Sequence, residues 1–356
     1  MVQNAVPSDL PGVRSLWKTG FGESEEFLNF YFGERYDHSN TVVFRDGDFI
    51  SSSAQIVPFE MKYRSEIIKS AYILGVVTHP DYRKKGQAAE LLKYSLNDQY
   101  RREILVSTLI PQFPYLFDIY RKYGFYEAFE ARETLLVKKD YETEIFNGKI
   151  TALHKGCLAD LDLQRSLFRL YDREYRKLGM TLLKSFDDFK FTLKEFLLFE
   201  GPVIVSFDEN GEPAGIAFVS SAGESGKIIK ELICSGENVR KRLIGFILRE
   251  YGLTEITVLT PQNVFNGKIK PLGMGRIVNA YEMLKIFAKS GGSDMTISIT
   301  DNIVKQNNKI FTICGNEISD CEPDSRTTVD YQYDIYELSR LLLSESTASY
   351  MNLMLN

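Results

Sequence analysis

Apolar residues open the chain at helical spacing. Leu10, Val13, Leu16 and Trp17 line one face, and Phe27, Leu28, Phe30 and Tyr31 line a second. Ser8 or Asp9 is placed to cap the first helix. From Thr41 the period shortens. TVVFRDGDFISSSAQIV reads as two strands turning at Asp46-Gly47, and IIKSAYILGVV as a third, more apolar towards its end. A helix with Ala88, Leu91, Leu92 and Leu96 on one face follows. ILVSTLI (104–110) reads as a buried strand. Tyr115, Leu116, Ile119 and Tyr120 make a short helix ended by Gly124, and ETLLVKKDY returns as a strand. The order ααβββαβαβ predicts an α/β fold of the mixed-sheet, α+β kind, with helices covering the sheet.

FNGKITALHKG (146–156) reads as a junction, and a similar pattern then begins again. A helix through Leu163, Leu167, Leu170 and Tyr171 leads to a hairpin turning at Asn210-Gly211. The strand IIKELICSG, the helix VRKRLIGFILREYG and the strand EITVLT complete it. The tail changes character. MGRIVNAYEMLKIF reads as a strand and helix, MTISITDNIV and KIFTICG as strands, and TTVDYQYDIYELSRLLLS as a strand followed by a helix. Three domains are expected, at 1–142, 143–270 and 271–356.

Between the third strand and its helix lies VVTHPDYRKKGQAAELL (76–92). A strand, a glycine-containing loop and a helix start together make an anion site. The first-turn N–H groups of a helix are unpaired, and its dipole favours negative charge. Gly86 and Ala88 leave the backbone bare enough for a diphosphate, and Arg83, Lys84 and Lys85 add positive charge. The loop is neither a Walker loop nor a G-x-G-x-x-G fingerprint. In the second half Ser235, Gly236, Glu237 and Asn238 stand in its place.

Composition narrows the field. Among 356 residues, 43 Lys and Arg face 48 Asp and Glu, a formal charge of -5, which argues against a nucleic-acid partner. No run is long and apolar enough for a membrane span, and Met1 opens no signal-peptide pattern. Four scattered cysteines and three histidines give no metal spacing. A cytoplasmic protein is expected.

The loop from Arg83 to Ala88, the apolar strand before it and YRKYGF (120–125) together resemble the GCN5-related N-acetyltransferase (GNAT) superfamily. Its loop reads [RQ]-x-x-G-x-[GA], and its later helix carries a tyrosine in a Y-x-x-x-G-[FY] setting, matched by Tyr120, Gly124 and Phe125. The layout of a GNAT domain, a degenerate second GNAT-like domain and a small carboxy-terminal domain resembles the enhanced intracellular survival (Eis) acetyltransferases, whose last domain is similar to sterol carrier protein. PLGMGRIVNAYEMLKIF resembles the start of that domain. Two departures stand out: VTHP, with Thr78 and His79, replaces TVxP before the loop, and the last domain is short.

The resemblance implies acetyl-CoA as cosubstrate, held by Val76, Val77, Thr78, Arg83, Lys84, Lys85, Gly86, Gln87, Ala88 and Ala89, with no metal. It implies direct attack by a primary amine in a ternary complex, an oxyanion held by backbone N–H groups near Val76, and Tyr120 as the acid for the leaving thiolate. The terminal carboxylate of Asn356 is the expected base. Glu23, Glu25 and Glu26 lie where this family lines its acceptor pocket, although a solvated helix start accounts for the same run. The acceptor is a small-molecule or peptide amine, and a homo-oligomer, trimer or hexamer, is implied. The rival readings are a tRNA-dependent aminoacyl transferase, which the acidic charge opposes, and a non-catalytic acyl-CoA-binding scaffold.

Overall fold

A computed structural model describes residues 1–141, 149–223, 226–323, 327–344 and 348–354. Strand β1 (Val2–Asn4) precedes helices α1 (Leu10–Phe21) and α2 (Glu25–Glu34). Then come β2 (Thr41–Asp46), β3 (Phe49–Tyr63), β4 (Glu66–Thr78), α3 (Gln87–Arg101), β5 (Val106–Leu109), α4 (Pro114–Arg121) and β6 (Tyr126–Val137). The middle of the chain forms β7 (Ile150–Ala152), α5 (Leu161–Tyr175), β8 (Met180–Leu183), α6 (Phe186–Glu195), β9 (Val203–Phe207), β10 (Pro213–Ala222), β11 (Gly226–Cys234), α7 (Glu237–Glu250) and β12 (Glu255–Thr260). The last third forms β13 (Lys268–Ile277), α8 (Ala280–Lys289), β14 (Met295–Thr300), β15 (Ile310–Cys314), β16 (Glu317–Cys321), β17 (Tyr331–Asp334) and α9 (Ile335–Ser344). The fold is mixed α/β, as the periodicity predicts.

These elements form two compact units. One comprises Met1–Met61, Ile67–Ala128 and Gly273–Glu345; the other comprises Lys62–Glu66, Phe129–Leu272 and Ser346–Asn356. The segment 273–345 therefore folds with the amino-terminal residues. In the first unit the strands run in the order β1-β2-β3-β4-β5-β13, with β4 and β5 parallel and β13 antiparallel to β5. A four-stranded sheet, β16-β15-β14-β17, belongs to the same unit. Ile73, Leu92, Leu96, Leu109 and Phe125 share one core with Met274, Val278 and Val304. Burial of apolar surface thus joins the first and last thirds of the sequence.

One local expectation changes. Asp9 stands before α1, but its own backbone is already helical and its side chain makes no cap hydrogen bond to that helix. The carboxylate instead accepts from the Val6 N–H at 3.0 Å, closing the preceding turn, and pairs with Arg45. Gly124 ends α4 as expected: the regular helix stops at Arg121, Gly124 takes a left-handed φ of +84°, and the Phe125 N–H bonds back to the Tyr120 carbonyl at 3.3 Å before β6 begins.

The second unit orders its strands β6-β12-β11-β10-β9-β7. Here β11 and β12 pair in parallel only at Ile228–Thr257 and Ile229–Val258. The β10–β11 register slips after Phe218, so that Lys230 lacks a cross-strand mate. Next to it, Glu231 is buried and accepts from the Tyr175 hydroxyl at 2.9 Å and the Tyr350 hydroxyl at 3.3 Å. Burial raises the Glu231 carboxyl to about 7 and lowers the nearby buried Lys184 ammonium to about 8. Lys184 donates to the Asn352 carbonyl at 3.2 Å, and the Asn352 amide donates to the Lys230 carbonyl. The stretch 349–354 is thereby tied down on the second unit. Replacing Glu231 by Ala strands two buried phenols, so Glu231→Ala is expected to cost about 2–4 kcal/mol, read from urea denaturation. A change under about 1 kcal/mol would show that the cluster does not hold the tail.

Candidate active site

β4 and β5 start as neighbours and then part. They pair at Ser70–Val106, Ala71–Ser107 and Tyr72–Thr108, and no further. The Ser70 hydroxyl donates to the Val106 carbonyl at 2.9 Å, and the Thr108 hydroxyl to the Ala71 carbonyl at 3.0 Å, which fastens the paired end. Beyond Tyr72, β4 runs six more residues to Thr78 without a β5 partner. A strand edge of this kind presents N–H and C=O groups that need a partner.

Within that stretch Gly75 has φ +60°, a left-handed conformation inside a strand. Glycine is required twice over, because a Cβ there would stand 2.4 Å from the Trp17 indole. Trp17 stacks on Tyr31 at 4.5 Å, and the Tyr31 hydroxyl donates to Gln55 Oε1 at 2.8 Å. Gly20 makes a similar approach, since a Cβ on it would lie 2.1 Å from a Val77 methyl. Helix α1 thus presses on β4 where the strand turns. Val77 is buried, while Val76 and Thr78 are half-buried.

β4 leads through a short helical turn, Pro80–Tyr82, into the glycine loop. Gly86, at φ +81°, is the N-cap of α3, and the space that a Cβ would fill is open. Lys84 is also left-handed, at φ +60°. The free N–H groups of Gln87, Ala88 and Ala89 therefore head a helix whose approach is bare. Arg83, Lys84 and Lys85 are exposed. The Arg83 guanidinium donates to the Thr78 carbonyl at 3.2 Å and reaches the Gly20 carbonyl at 3.5 Å, while Lys85 lies 4.7 Å from the Tyr82 ring centre. Neither lysine has a carboxylate partner among the described residues. The Gln87 side chain is buried: its Oε1 accepts from Ser52 at 2.8 Å, and the Ser52 hydroxyl is 2.9 Å from that of Thr78. Gln87 and Thr78 thus pin the helix start to the strand end. His79 bonds the Ser51 carbonyl through its N–H and packs edge-on to Phe49 at 5.4 Å.

Tyr120 lies on α4, packed edge-on against Phe125 at 5.9 Å. It borders the same core as Val76 of β4 and Leu109 of β5. Its hydroxyl has no hydrogen-bond partner among the described residues. Burial pushes its pKa up to about 12, which keeps the phenol protonated at neutral pH. On the same helix and just before it, Phe113, Tyr115 and Ile119 are exposed, and Phe113 and Tyr115 stack 5.8 Å apart.

The acidic run divides. Glu25 is held at about 2 by hydrogen bonds from Lys18 at 2.6 Å and Arg14 at 2.5 Å, so its charge already has partners between α1 and α2. Glu23 is half-buried and its pKa is raised by burial, while Glu26 is exposed. Asn356 lies outside the described residues. Ser52 and Gly75 belong to no sequence motif, and the sequence marks Trp17 only as part of an apolar helix face. Gly75, a glycine inside an apolar strand, was the available signal.

Residues 2–128 match a family model described as an acetyltransferase (GNAT) domain. That segment is an acyltransferase domain, a type that takes acyl groups from an acyl-CoA cosubstrate. No curated protein sequence matches the chain. Among solved structures, the chain is similar to a probable N-acyltransferase of Enterococcus faecalis, with a TM-score of 0.77 and 18% identity over 96% of this chain and 89% of that one. A GCN5-related N-acetyltransferase of Anabaena variabilis gives 0.75 and 16% over 97% and 90%. Eis1 of Mycobacterium abscessus gives 0.72 and 12% over 96% and 89%. These likenesses extend the fold relationship along nearly the whole chain.

The two left-handed glycines separate packing from access. Gly75→Ala meets the indole and a disfavoured φ together, and is expected to cost about 2–3 kcal/mol in urea denaturation. Gly86→Ala meets only the disfavoured φ, for about 1 kcal/mol. Equal costs would mean that Trp17 does not brace the strand.

Proposed function

We propose that the protein is an acetyl-CoA-dependent N-acetyltransferase acting on a primary amine. The observation that carries this reading is the unpaired edge of β4 beyond Tyr72, leading into an open, basic helix start at Gly86. A diphosphate fits the N–H groups of Gly86 to Ala89, with Arg83, Lys84 and Lys85 around it. The pantetheine amides pair with the β4 backbone at Val76 and Val77, as an added strand would. The side chains of the half-buried Thr78 and the buried Gln87 hold the frame that presents these N–H groups.

In the reaction a neutral amine nitrogen attacks the thioester carbonyl. The C–N bond forms, and the oxyanion is held by N–H groups near Val76. The C–S bond then breaks, and the thiolate takes the Tyr120 proton. The nitrogen loses its proton to a general base. Tyr120 is then reprotonated, leaving an amide and free CoA. Glu23 and Glu26 are the carboxylates left to attract a cationic acceptor, since Glu25 is engaged. The acceptor is a small-molecule or peptide amine. We further read 271–356 as a short sterol-carrier-like segment serving the fold, and the protein as a cytoplasmic homo-oligomer. No helix among the described residues is long and apolar enough to cross a membrane.

Calorimetry with acetyl-CoA tests the cofactor step. The parent is expected to bind, and Gly86→Glu, which sets a carboxylate where the diphosphate should lie, is expected to lose binding at least about a hundredfold. A parent that stays silent at saturating acetyl-CoA would sink the acetyltransferase reading and raise the scaffold one. Tyr120→Phe is expected to lower kcat about a hundredfold with acetyl-CoA affinity kept. The pH profile supplies a sign. Because the folded-state pKa of Tyr120 is raised to about 12, its proton is retained throughout the working range. The rate should therefore rise with pH as the amine is neutralised, with no falling limb below about pH 10. A fall starting near pH 8 would contradict the assignment of Tyr120 as the acid.

A further inference from the structure

Arg276, at the end of β13, is fully buried, and so is its partner Asp301. Its terminal nitrogen bonds both Asp301 oxygens at 2.8 Å. Asp301 also accepts from the N–H groups of Ile303 and Val304 and from the Asn307 amide, all within 3.0 Å. A salt bridge this enclosed and this fully bonded fixes one geometry. The other two guanidinium nitrogens point elsewhere: Nη1 donates to the Ile277 carbonyl at 2.9 Å. Nε donates to the carbonyl of Tyr123 at 2.7 Å.

Tyr123 stands just past α4, and its own N–H bonds the Tyr120 carbonyl at 2.9 Å. The Phe125 N–H reaches the same carbonyl at 3.3 Å. Between them Gly124 passes so close that a Cβ would stand 3.1 Å from Arg276 Nε and 2.6 Å from Ile335. Two consecutive hydrogen bonds therefore connect the buried ion pair to the backbone of Tyr120. The ion pair and Ile335 both come from residues more than 150 positions later in the chain.

We propose that Arg276 is a positioning residue for Tyr120, set by Asp301. Arg276 touches neither cofactor nor acceptor in this scheme. It fixes the turn that aims the phenol. The proposal rests on Tyr120 being the acid, and the test separates the two ideas.

Arg276→Lys keeps the charge beside Asp301 but lacks the forked donor that reaches Tyr123. Thr312→Ala is the control: Thr312 is exposed on β15, in the same segment, and its hydroxyl lies 3.4 Å from that of Thr296, away from the turn. In the full-length protein, thiol release from acetyl-CoA in the presence of spermidine is measured for both variants, for Tyr120→Phe and for Arg276→Lys/Tyr120→Phe. Arg276→Lys should lower kcat about tenfold or more, with KM for acetyl-CoA within about twofold. Thr312→Ala should leave both near parent values. The double variant should be no slower than Tyr120→Phe alone. If Tyr120→Phe is slow while Arg276→Lys is normal, or if the two losses multiply, the positioning role is wrong. If Tyr120→Phe is as fast as the parent, the acid assignment itself is wrong, and the proposal falls with it. Fluorotyrosine labelling gives a readout independent of turnover. The Tyr120 resonance, assigned by its loss in Tyr120→Phe, should shift in Arg276→Lys and not in Thr312→Ala. An unshifted resonance would overturn the proposal even where the variant is poorly active.

Discussion

β4 and β5 pair for three residues and then separate, and the proposed chemistry depends on that separation. A fully paired β4 would have no backbone groups to offer a thioester arm. The separation is held open from two sides. The hydroxyls of Ser70 and Thr108 fasten the paired end, and the Trp17 indole under Gly75 fixes the path of the free end. The helix that follows then starts where β4 ends, because Ser52 lies against both Thr78 and Gln87. The unpaired edge and the open helix start are thus consecutive surfaces of one backbone path.

The second unit repeats part of this geometry with a different outcome. β11 and β12 also pair in parallel only briefly, but the chain that follows β11 carries Ser235, Gly236, Glu237 and Asn238 in place of a basic loop. The β11 backbone at Lys230 has a partner from within the chain, the Asn352 amide. Buried Glu231, Tyr175, Tyr350 and Lys184 consolidate that contact. One unit leaves its strand edge free, and the other bonds it to the tail.

Much of this was readable from residues alone. The period change near Thr41, the Asp46-Gly47 turn and the basic glycine loop are local signals, and each lies where the structure has the matching element. Asp9 does not cap α1 because its carboxylate is taken by the Val6 N–H and by Arg45, which lies 36 residues away. The pairing of Glu25 with Arg14 and Lys18 is likewise not visible in the acidic run itself. The membership of 273–345 in the first unit, and the reach of Arg276 to Tyr123, depend on contacts more than 150 residues apart in sequence. Periodicity carries no information at that range. Gly75 was the one missed position with a visible cue.

The central claim, that the free edge of β4 and the start of α3 receive the cosubstrate, is tested most directly by amide hydrogen exchange with and without acetyl-CoA. The account predicts slowed exchange at residues 73–77 and 86–89, and unchanged exchange at 228–238. Protection confined to 228–238, or absent from both strands while acetyl-CoA is bound, would contradict it.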